Sequence, residues 1–388
     1  MNRLPARLLC IALCLITAAV NLPAPLYPVY AQLSGAGAGA TAIAFAGYVV
    51  GVVPVLLLWG GLADRVGRRP LIVTALALSM LATVLLLRAP GLYSLAIARC
   101  LLGLGTGLAS ATGIAYMTEL LALEGQEPAR AASWVTASTS LGFGLGAAAT
   151  SVCLLHTPGL APASFWIQLV LAGLALVSML KLPDPAPRRA SAMVRLPCYP
   201  VGCVRYGLAI LLAWATTGVV IAILPSVLQV AGLGAWAGFS TFSVISCGLM
   251  FQPLARRMPA RRAVALGLAI LPPSYALIAW GALNGQLALV LVGTVAASSA
   301  CYGFIYLGGL GAIAAQAGAE MPRASAGFFL LAYAGFSVPV VFTGLIADRF
   351  TPSTGLWAFA GALTLGTLAL LAAMARRPPL RASIANKA

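Results

Sequence analysis

Twelve long apolar runs follow one another along this chain, separated by short polar breaks. A helix that crosses the hydrocarbon core of a bilayer needs about 20 predominantly apolar residues. Inside lipid every backbone N–H and C=O must find its partner within the spanning structure, so only helices and closed barrels qualify. Barrel strands alternate apolar and polar positions over about ten residues, and that alternation is missing here. The runs therefore predict an all-α polytopic membrane protein. Its spans are expected at 6–30, 41–63, 71–87, 93–117, 132–154 and 164–182, then at 206–230, 236–254, 263–283, 287–312, 326–346 and 354–374. Composition agrees, since 8% of residues are charged against about 25% in a soluble domain.

The arginines orient the spans. With the N-terminus inside, 20 of the 23 basic residues fall in segments on the inner side. Only Arg88, Arg99 and Arg349 lie elsewhere. Lys and Arg collect on the cytoplasmic side of membrane proteins, so both termini are expected in the cytoplasm. This partition also accounts for the net charge of +16, which in a soluble chain would raise nucleic acid as a partner and here does not. The first apolar run continues past the length of a secretion signal with no cleavage site, and reads as an uncleaved span. The eight cysteines are scattered with neither metal spacing nor a disulfide framework; no metal and no cofactor is expected.

One longer break is basic and proline-rich, and it divides the chain. The expected organisation is a six-helix bundle over 1–182, a cytoplasmic linker over 183–205, a second six-helix bundle over 206–375 and a cytoplasmic tail over 376–388. The halves repeat. Leu62-Ala63-Asp64-Arg65 and Arg69 correspond to Leu254-Ala255-Arg256-Arg257 and Arg261, and Gly142-Phe143 corresponds to Gly335-Phe336, all at near-constant offset and in equivalent spans.

The most distinctive stretch joins the second and third spans. It reads Gly60-Gly61-Leu62-Ala63-Asp64-Arg65-Val66-Gly67-Arg68-Arg69-Pro70. It resembles the loop motif of the major facilitator superfamily, G-x-L-a-D-r-x-G-r-(k/r), at Gly60, Leu62, Ala63, Asp64, Arg65, Gly67, Arg68 and Arg69. The resemblance implies a transporter fold of two pseudo-symmetric six-helix bundles with a substrate site near the midplane between them. It also implies that Asp64 and its arginines hold an inner gate, the acid meeting the start of the eleventh span, where a helix N-terminus favours a carboxylate. The second copy carries Arg256 at the place of Asp64, so the gate is expected to be asymmetric.

Two further segments carry part of the same resemblance. Leu95, Arg99, Gly103 and Gly105 match the family's fourth-helix motif, with Leu102 in place of its glutamine. In the family that arginine is linked to proton coupling or substrate charge. A charge within a span is costly and marks a functional candidate, though the long stem of Arg99 could also snorkel to the outer interface. Gly142-Phe143-Gly144-Leu145-Gly146 matches the first half of the fifth-helix motif of exporters; Ala147 replaces its proline. Gly142 and Gly146 share a face and allow close helix packing, as does Gly103.

The acids are Asp64, Glu119, Glu124, Glu127, Asp184, Glu320 and Asp348, and none falls in the middle of a span. Proton coupling would then run through Asp64 or Glu119 at the inner rim, or through the substrate. An arginine without a midplane acid predicts a positive cavity that favours an anionic or zwitterionic substrate. Asn21, Trp214, Thr216, Thr217, Tyr302 and Tyr306 are candidates for its wall, the two tyrosines being one helical turn apart. No P-loop lysine motif is present, and the sole histidine, His156, lies in an outer loop, which argues against an ATPase and an intramembrane enzyme. The expected function is secondary active transport of a small molecule by a monomer in the bacterial inner membrane, with proton-coupled efflux of a drug, siderophore or metabolite favoured. The alternatives are uptake of a small organic anion or sugar, and a membrane sensor that transports nothing.

Overall fold

The computed structural model describes residues 4–184, 194, 196–200 and 202–376. The basic residues Arg3, Arg188, Arg189, Arg195, Arg377, Arg381 and Lys387, much of the expected linker and all but one residue of the expected tail lie outside the described residues. Twelve helices are long and apolar enough to cross a membrane, and among the described residues there is no strand. In the first half they are α1 (Leu4–Leu33), α2 (Ala38–Leu58), α3 (Arg68–Arg88), α4 (Leu92–Leu123), α5 (Pro128–His156) and α6 (Ala163–Leu180). The second half has α7 (Val204–Val230), α8 (Gly234–Arg256), α9 (Ala260–Leu283), α10 (Leu287–Ala317), α11 (Arg323–Arg349) and α12 (Pro352–Ala375). The chain is a multi-pass membrane protein.

The main departure from the expected spans is at the end of α2. The apolar pattern runs on to Ala63, but the helix stops at Leu58, turns through Gly60 and Gly61, and resumes as a short helix over Leu62–Val66. Two successive glycines cost helix about 1 kcal/mol each relative to alanine. Gly67 then takes φ +106°, a conformation that L side chains rarely adopt, and α3 starts at the next residue. α4 extends six residues beyond its expected end, because its last turns pack on the first half rather than on lipid: Leu120 and Leu121 are fully buried.

Helix pairing displays the repeat that the sequence announces. In the first half α1 packs on α5, α2 on α4, and α3 on both α4 and α6; in the second, α7 packs on α11, α8 on α10, and α9 on both α10 and α12. The halves meet through two symmetric pairs, α2 with α11 and α5 with α8. Each half is a six-helix bundle, and small residues set the distances. A methyl group at Gly142 or Gly146 would overlap the backbone carbonyls of Cys14 or Ala18 on α1; one at Gly103 would overlap that of Tyr48 on α2. In the absence of a hydrophobic driving force between helices in lipid, such close backbone approach is a principal source of adhesion.

Four helices that surround the centre carry irregular backbone within their spans. α1 breaks after Asn21, where Pro23 and Pro25 remove two helical donors. α7 breaks at Ile223 before Pro225, at the equivalent depth. α8 tightens over Cys247–Phe251, and α10 widens to a π-turn over Ser299–Ile305. The last two segments face each other, with Ser298 Oγ accepting from the Gly248 N–H at 2.7 Å. Non-helical backbone at membrane depth is tolerated where it is buried in protein or lines a cavity, and π-turns occur often at functional sites.

Candidate functional site

The four irregular helices share a cavity of about 290 Å³ with α2, α4, α5 and α11. Its wall therefore comes from spans one, two, four and five of each half, and α3, α6, α9 and α12 contribute nothing to it. Asn21, Trp214, Tyr302 and Tyr306 all line it, so the residues expected at a substrate site from four separate stretches converge. Thr216 and Thr217 do not; both are buried and donate back to their own helix at Leu212 and Ala213. The widened turn of α10 carries Tyr302 and ends just before Tyr306.

The sequence reading missed the aromatic residues of α2 and α11. Trp214 stands edge-on to Tyr333 at 5.1 Å and to Phe336 at 5.9 Å between centroids, and tilted to Tyr302 at 6.4 Å and Phe329 at 6.5 Å. Tyr48, from the first half, reaches Tyr333 at 6.2 Å and Phe336 at 6.0 Å. The edge-on pairs among them have the favoured geometry for rings, and together the rings join the halves into one aromatic wall. Thr106, Ser110, Thr136, Thr139 and Ser140 line the cavity from α4 and α5. A signal for the missing rings existed: Phe329, Tyr333 and Phe336 recur at helical spacing, but the same spacing describes a lipid-facing stripe.

Two side-chain polar atoms of lining residues are buried without a partner. The Asn21 Nδ2 donates to the Phe143 carbonyl at 2.9 Å, which fixes the amide, while its Oδ1 is buried without a hydrogen bond. The Trp214 Nε1–H is likewise buried and unpaired. No Asp, Glu, Lys, Arg or His lines the cavity among the described residues.

Arg99 is accordingly not a cavity residue, and the expected positive cavity is not what the wall provides. Arg99 is fully buried, so it does not snorkel either. Its Nη1 donates to the Val20 carbonyl at 3.0 Å and to the Tyr27 hydroxyl at 3.3 Å, and its Nε donates to the Phe45 carbonyl at 3.3 Å. The guanidinium lies over the rings of Phe45 and Tyr48, 4.3 and 4.9 Å from their centroids. Val20 is the penultimate residue of the helical segment that ends at the proline break of α1. Arg99 thus ties the broken α1 to α2 and α4 from behind the cavity wall, with Nη2 left unpaired.

The cavity extends from mid-depth toward one end. Its lining runs from the aromatic wall down to Leu56, Ile114, Val135 and Gln252, all in the halves of their helices that lead to the arginine-rich loops. At the opposite end the two bundles close on each other. Asp348, near the end of α11, accepts hydrogen bonds from the N–H groups of Ala38 and Gly39 at 2.8 Å each, at the first turn of α2. Gly37 and Gly39 leave room for that carboxylate, and a Cβ at Gly344 would stand 2.8 Å from the Ala38 carbonyl oxygen. Farther out, a surface cleft of about 520 Å³ is bounded by Pro25, Leu160 and Gln229; none of the aromatic wall reaches it.

A sequence profile of the Major Facilitator Superfamily matches residues 9–338. The chain belongs to the major facilitator superfamily. Solved structures of that architecture superimpose on it over nearly their whole length. A mutant of the nucleoside transporter NupG aligns with a TM-score of 0.76 at 12% identity, covering 95% of this chain and 99% of the other. The D-xylose-proton symporter gives 0.67 at 18% identity, with 95% and 96% covered. The peptide transporter POT in complex with alafosfalin gives 0.69 at 15%, with 96% and 94% covered. At such identities the likeness establishes the fold. No curated protein matches the sequence.

In this facilitator-superfamily chain the Gly60–Arg69 loop is organised by Arg68. Its Nη1 donates to Asp64 at 2.8 Å and its Nε to Glu119 on α4 at 3.3 Å, while its backbone N–H donates to Asp184 at 3.0 Å. Arg69 Nη1 reaches the carbonyls of Leu180 and Leu182 at the end of α6. Arg65 is exposed. The loop so ties α2, α3, α4 and α6 at the basic end. A Cβ at Gly67 would overlap the Asp184 carboxylate, a second reason for glycine there. Glu119 Oε2 is buried without a partner. The remaining acids are also at helix ends: Glu124 accepts from the Ala6 N–H at 2.9 Å, and Glu127 and Glu320 pair with Arg130 and Arg323.

Proposed function

We propose that this transporter moves an uncharged small molecule by alternating access, with export from the cytoplasm as the physiological direction and proton coupling at the inner rim. The observation that carries the reading is the cavity at mid-depth between the repeats, lined by the same four spans of each half. The basic ends are taken as cytoplasmic by the positive-inside rule, with both termini on that side of the inner membrane. On this reading the structure is the inward-open state. Asp348 on the α2 terminus is then the outer latch, and the Arg68 network is the part of the inner gate carried by the first half. The chain is proposed to work as a monomer.

Export is supported by the Gly142–Gly146 contact of α5 on α1, in the segment that resembles exporters. Coupling is assigned to Glu119, with Arg99 as a positioning residue behind Tyr48. The support for Glu119 is its place at the inner rim beside Arg68, with one buried carboxylate oxygen left unpaired.

The test is comparative metabolite profiling of cells and medium with the protein produced or absent, repeated with Asp64→Asn and with a protonophore. A compound that collects in the medium only with the intact protein, and stops doing so with protonophore, is the expected result. Depletion from the medium would overturn the direction. Accumulation that ignores the protonophore would overturn the coupling.

A further inference from the structure

The aromatic wall and its two unpaired polar atoms describe a ligand. We infer that the central cavity takes an uncharged molecule with a flat ring, whose entry displaces the side chains that cover Trp214 Nε1–H and Asn21 Oδ1, so that it accepts a hydrogen bond from the first and donates one to the second. The inference rests on the reading of this cavity as the substrate site and goes beyond it by naming the chemical class.

Three observations carry it. First, the absence of charged side chains in the described wall excludes pairing for an ion, and an ion brought into an apolar, partly closed site loses its hydration without replacement. The nearest guanidinium, Arg99, is already engaged by two carbonyls, a phenol and two rings. Second, an unpaired donor and an unpaired acceptor are both buried in one wall. A buried polar atom left without a partner costs about 1–3 kcal/mol, so a ligand that completes both gains relative to one that completes neither. Asn21 cannot turn its amide round to avoid this, because its Nδ2 is held by the Phe143 carbonyl. Third, Trp214, Tyr333, Phe336 and Tyr48 present rings at mutual angles from 53° to 82°, so a flat ring entering among them meets both faces and edges. The volume of about 290 Å³ lies at the low end of the range for small-molecule sites.

The placement also makes the ligand a reporter of the transport state. Asn21 belongs to α1 of the first half and Trp214 to α7 of the second; Asn21 sits just before the proline break of α1, and Trp214 lies about two and a half turns ahead of that of α7. A molecule bonded to both spans the two halves, and loses one contact when the halves move apart.

A matched probe series tests this on the purified full-length protein. The probes are 2-naphthamide, 2-naphthoate, 2-naphthamidinium, 2-methylnaphthalene and decahydronaphthalene-2-carboxamide, each titrated by calorimetry and by the shift in thermal unfolding. The neutral amide is expected to bind at least tenfold more tightly than the anion, the cation and the saturated amide. Trp214→Phe keeps a ring and removes the donor, and Asn21→Leu removes the acceptor. Each is expected to weaken 2-naphthamide three- to tenfold, the range for one net hydrogen bond, and to leave 2-methylnaphthalene unchanged. Ser140→Trp and Thr136→Phe fill the cavity and identify binding that occurs in it.

The outcomes separate the two claims. If the naphthoate or the amidinium binds best, and Ser140→Trp or Thr136→Phe abolishes that binding, the site stands and the uncharged class is wrong. If the neutral amide binds best but Trp214→Phe and Asn21→Leu change nothing, the assigned hydrogen bonds are wrong. If no probe binds in a manner that both cavity-filling variants remove, the cavity is not the site and the inference fails with it.

Discussion

The contact of Asp348 with α2 is the sharpest lever on the conformational balance, because it joins the two bundles at the end opposite the cavity mouth. Its carboxylate accepts from two N–H groups at the first turn of α2, 2.8 Å each. These are among the donors that a helix leaves unpaired at its start. Losing a side-chain cap costs about 1 kcal/mol, and the favourable term of a carboxylate at a helix N-terminus adds a few tenths. Asp348 is exposed, so water and salt return part of the loss. A net loss of about 1 kcal/mol from the state closed at this end changes the ratio of the two states about fivefold toward opening there. Asp348→Asn retains one acceptor without the charge, and about half of the effect is expected. The assay is electron–electron double resonance between spin labels at Gln32 in the first half and Asn284 in the second, in a background freed of native cysteines. Asp348→Ala should move population from short to long distances by that factor. Identical distributions for both variants and the parent would refute the latch, as would a shift toward shorter distances.

Three other consequences follow from the packing. Gly146→Ala places a methyl group against the Ala18 carbonyl, so α5 must back away from α1; overpacking of this kind costs about 1–3 kcal/mol, and the midpoint of thermal unfolding in detergent should fall. Arg99→Met removes the hydrogen bonds to the Val20 and Phe45 carbonyls and to the Tyr27 hydroxyl, at about 1 kcal/mol each, while it relieves a buried charge. Net destabilisation of about 2 kcal/mol is expected, and an unfolding temperature equal to or above the parent's would mean that relief of the charge dominates. Arg68→Gln removes the ion pairs of Arg68 with Asp64 and with Glu119; proteolysis within 60–70 should quicken, and Glu119→Gln should show the smaller effect of losing a single pair.

Much of this architecture was legible before any coordinate. The number of spans, their alternation and the duplication follow from run length, from arginine position and from recurring loop residues. All three are local: a bilayer core has a set thickness, and a basic residue stays on its side whatever the helices do later. The same locality explains the error at the end of α2, where the apolar count ran past a turn that Gly60 and Gly61 impose. Asn21, Trp214, Tyr302 and Tyr306 could be picked out because polar and amphipathic groups are few in such runs.

What the tertiary structure alone decided is which face each residue presents. In water an apolar stripe points to the core, but here the lipid-facing and protein-facing sides are both apolar. Periodicity therefore could not separate Tyr48, Tyr333 and Phe336, which wall the cavity, from Phe342, which is exposed on the surface of α11. Nor could it show that Arg99, conspicuous as a charge inside a span, lies behind the cavity rather than in it. The pairing of Asp348 with Ala38 and Gly39 crosses 310 and 309 positions of sequence, and nothing in either stretch names the other. Such contacts exist only once the two bundles have docked, because the donors belong to one half and the acceptor to the other.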